Sequence, residues 1–154
     1  MWIAPRRTNY GPDGARTLTL QLPALRDVRA GSEQVHPVLA VRCLSRRTDV
    51  FVAIGTSANI EGGDTHTVTV QFDDEAPAKQ AWPGSASYQE LFAPDGLAVA
   101  RRLAQTRLLR FTFTPFRGRP VTAEFNVQGF DRHVKDVARI CGWPTQDAAT
   151  SRRR

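Results

Sequence analysis

The residues through which this chain could do chemistry are few: two cysteines, three histidines, one G-S-A-S stretch and one acidic run. His36 precedes a proline, His66 starts an alternating segment, and His133 falls in the first turn of an expected helix. No histidine sits four residues from another ligand-type side chain, and no C-x-x-C occurs, so no metal site and no cofactor are expected. Gly84–Ser87 lacks the second glycine and the strand-to-helix setting of a nucleophile elbow. Asp73, Asp74 and Glu75 are adjacent acids at a strand end, which reads as a solvated turn. With no Gly-rich phosphate loop either, the chain is expected not to be an enzyme.

Two groupings suit binding better than catalysis. Arg42 alternates onto the same strand face as Val38, Ala40 and Leu44, so it is expected to lie half-buried and to need a carboxylate. Asp73 is one candidate partner, by default in a structural ion pair, with a ligand site as the lesser alternative. Trp82, Ser85, Tyr88 and Phe92 form an aromatic-rich segment around W-P-G-S, expected to be a contact patch because aromatics supply binding hot spots. Burial of Trp82 in the core is the competing reading.

The cysteines both read as inward-facing. Cys43 shares its side with Leu39 and Val41, while Val134, Val137, Ala138 and Cys141 fall at i, i+3, i+4 and i+7 of one helical stripe. Two readings stand at this level. One is a pair of reduced core thiols, a common fate for cysteine. The other is a disulfide closing 97 intervening residues, which loop-closure entropy values at up to about 4–5 kcal/mol.

The elements that must position these residues are mostly strands. Alternation is expected to form strands over 16–22, 38–44, 49–54 and 66–72, then a short one over 87–92. Leu109, Phe111 and Phe113 line another, and Val121, Ala123, Phe125 and Val127 the last. S-R-R-T is read as the connection between the second and third strands. Pro94 is placed in the first turn of a helix striped by Leu97, Ala100, Leu103 and Ala104. Asp131 is expected to cap a second helix that reaches Cys141 and stops at Gly142. The fold expected is mainly β: an antiparallel β-sandwich of about seven strands with one inserted and one C-terminal helix. A right-handed parallel crossover around the inserted helix ranks below it. Residues 1–143 are read as one β-rich domain and 144–154 as a disordered basic tail.

Composition narrows the function classes. The chain carries a net +6, of which Arg152, Arg153 and Arg154 supply half, leaving a weak field and no expectation of specific nucleic-acid binding. Only Lys79 and Lys135 are lysines among 21 basic residues, a bias that fits a GC-rich genome. No apolar run approaches 18 residues, so no membrane-spanning helix is expected. The start, M-W-I-A-P-R-R-T, has neither an apolar h-region nor a cleavage site.

Read in order, Trp2, P-V-L-A-V-R-C (Pro37–Cys43), T-D-V-F-V (Thr48–Val52) and V-T-V-Q-F-D (ending at Asp73) form a recognisable series. W-P-G-S (Trp82–Ser85), Phe92, A-E-F-N-V-Q-G-F (Ala123–Phe130) and C-G-W (Cys141–Trp143) complete it. The chain resembles the type VI secretion system-associated proteins of the VasI/TagO kind, with related domains in phage-like gene clusters. The resemblance covers nearly everything up to Trp143. Gln71 stands where the family typically carries arginine, and Phe130 where it carries leucine. The resemblance implies a non-enzymatic accessory protein of a contractile, phage-related machine, and a Cys43–Cys141 disulfide in an exported member. It implies partners among secretion or phage-like assembly proteins, with cell-wall contact conceivable, and a periplasmic or envelope location if a signal precedes these residues. Without one, the location expected is cytoplasmic or within a phage-like particle. The alternatives are a structural component of a phage or phage-like particle and a peptidoglycan-binding or -hydrolysing envelope protein.

Overall fold

Alternation in the sequence becomes burial strand by strand. The computed structural model describes Trp2 and residues 9–10, 16–59 and 64–144. In chain order these hold β1 (Asn9–Tyr10), β2 (Arg16–Pro23), β3 (Val28–Ala30), β4 (Glu33–Val35), β5 (Val38–Leu44) and β6 (Arg47–Ala53). There follow β7 (Thr65–Phe72), β8 (Ala78–Pro83), β9 (Glu90–Phe92), α1 (Gly96–Leu103), β10 (Leu108–Phe113) and β11 (Val121–Asn126). A 3-10 turn (Phe130–Arg132) leads into α2 (Val134–Cys141).

The strands form three sheets, β1-β2-β5-β6-β9, β11-β10-β7-β8 and the small β3-β4 hairpin. Every registered pair is antiparallel, so the crossover alternative falls away. Leu18, Leu20 and Leu22 of β2, Leu39, Val41 and Cys43 of β5, and Val50 and Val52 of β6 point to one side of the first sheet. Val68, Val70, Phe111, Phe113 and Phe125 come from the second, and all belong to one continuous core. Truncating a fully buried member such as Leu20 or Phe111 should cost about 2–5 kcal/mol, because the lost transfer energy is compounded by a cavity.

The mainly β, antiparallel reading with two helices holds, but the sheets contain more strands than seven. β1, β3, β4 and β8 were missed; strands of two or three residues are too short to show a period, and β8 ends on Pro83. The strand expected over 87–92 shrinks to β9. The β5–β6 connection is only Ser45 and Arg46, both at positive φ (49° and 65°), the backbone of a tight two-residue hairpin.

Both helices begin later than expected. Asp95, one residue past Pro94, caps α1 by accepting the Ala98 N–H at 3.1 Å. Asp131 lies in the 3-10 turn and His133 occupies the N-cap of α2. Gly142 does close α2, in the left-handed region at φ 67°, and the Trp143 N–H reaches back to the Ala138 carbonyl at 2.9 Å. The expected basic tail, from residue 145 onward, lies outside the described residues.

Candidate interaction site

Cys43 and Cys141 are joined, with Cα atoms 5.5 Å apart. The bond seals α2 against the inner face of β5, and both cysteines are almost fully buried. Beyond it, Trp143 lies against the start of β6, its indole N–H donating to Thr48 Oγ1 at 2.8 Å. The Arg101 guanidinium sits 5.6 Å from the Trp143 ring, and Arg101 also donates to the Pro144 carbonyl at 3.2 Å. The C-G-W stretch is therefore a clasp: the cysteine is covalently fixed, the glycine turns the chain, and the tryptophan is pinned from two sides.

On the opposite, outer face of the same sheet lies a different arrangement. Register sets Gln21, Ala40, Phe51 and Phe92 in one row across β2, β5, β6 and β9, with Thr19, Arg42 and Asp49 in the next. The Phe51 and Phe92 rings are 4.9 Å apart. Arg42 spans them, its guanidinium 5.1 Å from one ring centroid and 5.9 Å from the other, within cation–π range. Its Nη2 donates to Asp49 Oδ2 at 2.9 Å, and Arg47 approaches Asp49 from the solvent side at 3.2 Å. Arg42 Nε is shielded and has no hydrogen-bond partner among the described residues. The two rings and the Asp49 pairing offset that desolvation.

Asp73 is not part of this group, which corrects the expected Arg42–Asp73 pair. Its Oδ1 accepts the backbone N–H groups of Arg107 and Leu108, both at 2.9 Å, while its own N–H donates to the Leu108 carbonyl. Asp73 thus latches the end of β7 to the start of β10. The Leu108 and Arg107 N–H bonds to the charged form hold its carboxyl below the ordinary aspartate range.

The expected aromatic patch also divides. Trp82 turns inward and is 1% exposed, its indole N–H donating to Gln80 Oε1 at 2.8 Å and its ring 5.0 Å from Phe111. Ser85 and Tyr88 stay on the intervening turn, where Ser85 bonds the Glu90 side chain and the Tyr88 hydroxyl donates to Asp64 at 3.3 Å. Only Phe92 reaches the outer face, beside Phe51, Arg42 and Asp49, of which sequence reading had named only Arg42. His66, which in sequence only starts an alternating segment, takes an unexpected place. It is fully buried, Nδ1 faces the Asn59 carbonyl, and Nε2 accepts the Thr114 N–H at 3.1 Å.

Arg47 and Asp49 also line a cleft of about 470 Å³, together with Arg46, Asp95, Gly96 and Trp143. The cleft's geometry depends on a close approach: a Cβ at Gly96 would lie 2.2 Å from the Thr48 carbonyl oxygen. Among the described residues no cluster of three or more His, Cys, Asp or Glu side chains could hold a metal ion.

No protein-family model matches the chain, and no curated protein matches it. Among solved structures, the chain is similar to invasion associated protein B from Bartonella henselae. The TM-score is 0.55 at 11% identity, covering 86% of this chain and 91% of that one. The likeness is one of fold. It spans almost the whole of both chains.

Proposed function

We propose that this chain is a non-enzymatic interaction module that works in an oxidising compartment, as an accessory protein of a type VI secretion system of the VasI/TagO kind. Its two larger sheets are read as the halves of a sandwich, and the outer face of the first as the surface offered to a protein component of the machine. The observation that carries this reading is the Phe51–Phe92–Arg42 cluster, partly buried on the outer sheet face. Aromatics and arginine dominate interface energetics when partners desolvate them, and Arg42 is already oriented by Asp49, so little side-chain freedom remains to be lost on binding. The disulfide supports the compartment, since such bonds persist in the periplasm and are rare in reducing cytosol. The ordered series of family-like motifs supports the machine.

A photo-crosslinking residue in place of Phe92 tests the surface, with the same residue at Thr112, on the outer face of the other sheet, as control. Cross-linking in the native cell should capture a type VI secretion component from position 92 and not from position 112. Equal capture from both positions refutes the surface. Capture of phage-particle proteins alone moves the assignment to the particle.

A further inference from the structure

The loop joining β10 to β11, T-P-F-R-G-R-P (Thr114–Pro120), carries a side chain the fold does not use. Phe116 is 59% exposed, and with Leu25 it is one of two exposed large hydrophobic residues among those described. The corner that presents it is braced on all sides. The buried His66 accepts the Thr114 N–H, the Asn59 N–H donates to the Thr114 carbonyl at 2.9 Å, and the Phe116 N–H donates to the Ser57 carbonyl at 2.9 Å. Ala58 bridges Pro115, and the Gly118 N–H closes the turn onto the Pro115 carbonyl. Arg117 and Arg119 flank the ring, both exposed. The Arg117 guanidinium lies 5.1 Å from the Phe116 centroid, and neither arginine meets a carboxylate among the described residues. The seven-residue loop itself contains no acid.

We propose that this corner is a contact point for an anionic lipid surface, with the Phe116 ring entering the boundary between headgroups and acyl chains and Arg117 and Arg119 taking lipid phosphates. The shape decides for lipid over protein. A stable protein interface covers about 800 Å² per partner around a desolvated centre, whereas this loop presents one exposed aromatic among exposed polar and proline side chains. A bilayer surface accepts a single aromatic flanked by cations. The unpaired positive charges supply the complementarity, and the rigid brace keeps the ring from folding back onto the protein. The contact is separate from the outer-face surface proposed above and stands or falls without it.

Co-sedimentation with vesicles of phosphatidylcholine, with and without added phosphatidylglycerol, tests the idea on the full chain. The protein should partition onto the phosphatidylglycerol vesicles and come off as salt is raised. Each juxtamembrane arginine contributes roughly fivefold to partitioning, so Arg117→Gln/Arg119→Gln should lower binding by about 25-fold, and Phe116→Ser should lower it by several-fold. Phe116→Trp should show an emission blue shift and quenching by brominated lipid. Because these side chains are exposed, folding is expected to be unaffected, and thermal melting verifies that. No binding to anionic vesicles overturns the proposal. So does binding that survives all three substitutions, or binding that is lost only when Arg152, Arg153 and Arg154 are changed to serine. Unchanged lipid binding with loss of an acidic protein partner overturns it in favour of that partner.

Discussion

Breaking the Cys43–Cys141 bond should remove about a third or more of the stability expected of a domain this size. The bond spans 98 positions, and the loop-entropy relation gives about 4.7 kcal/mol at 25 °C for a closed loop of that length, against roughly 5–15 kcal/mol for a whole domain. Local structure argues that little else can substitute. α2 is eight residues long, far below the length at which an isolated helix holds in water, and within it only Val137 and Cys141 are fully buried. Wild-type protein unfolded in urea with and without reductant is the cleanest comparison, since every other side chain stays the same. At a slope near 2 kcal/mol/M the midpoint should fall by about 2 M, and the thermal midpoint by about 10–15 °C. Cys43→Ala/Cys141→Ala should do the same with a small additional cavity cost, and the amides of α2 should exchange first. A drop of under about 1 kcal/mol with an unchanged slope would refute the reasoning, because it would show that the bond restrains neither the unfolded chain nor the helix.

Two further perturbations probe the frame around the candidate site. Gly96→Ala would stabilise an ordinary exposed helix start by up to about 1 kcal/mol, but here the added methyl meets the Thr48 carbonyl oxygen at 2.2 Å; denaturant titration should show a loss of about 1–3 kcal/mol. Asp73→Ala removes the acceptor of the Arg107 and Leu108 N–H groups and puts alanine at φ 52°, so the melting midpoint should fall at neutral pH. The Asp73 carboxyl titrates below 3.8 in the folded chain, so its contribution is present above about pH 4 and fades as pH drops through the folded value. Wild type and Asp73→Ala should therefore converge on the charge contribution at low pH, while a gap that widens on acidification would contradict the latch.

Much of this fold was legible because alternation is a direct record of burial. Leu18, Leu20 and Leu22, Val68 and Val70, or Phe111 and Phe113 can satisfy a period of two only by facing one core, and they do. Cys43 and Cys141 were placed inward by the same logic, which made their bond geometrically conceivable without making it necessary. The short strands escaped because three residues carry no period. The helix starts slipped because Pro94 and Asp131 are each plausible at more than one position near an N-terminus, and the close approach of Gly96 to Thr48 belongs to tertiary packing. His66 escaped because its neighbours are polar: the backbone groups of Asn59 and of the distant Thr114 make a fully buried imidazole tolerable.

The partner of Arg42 turned on counting two residues. If S-R-R-T is the whole connection, the strands pair so that Arg42 faces Phe51, and a carboxylate must be sought elsewhere, as Asp73 was. With Ser45 and Arg46 alone in the turn, Leu44 meets Arg47, Cys43 meets Thr48 and Arg42 meets Asp49. The shorter turn needs positive φ at both central residues, a conformation that asparagine and glycine usually signal and serine and arginine do not. Cross-strand register on an antiparallel pair brings opposite charges together directly, so the ion pair required no distant residue. The same shift leaves Phe51 opposite Ala40, the smallest neighbour available to it, and free to lean toward Phe92 on the next strand. The Arg42–Asp49 pairing that orients the guanidinium over the aromatic rings is thus a consequence of one unusually tight hairpin. It was invisible for the same reason the turn was.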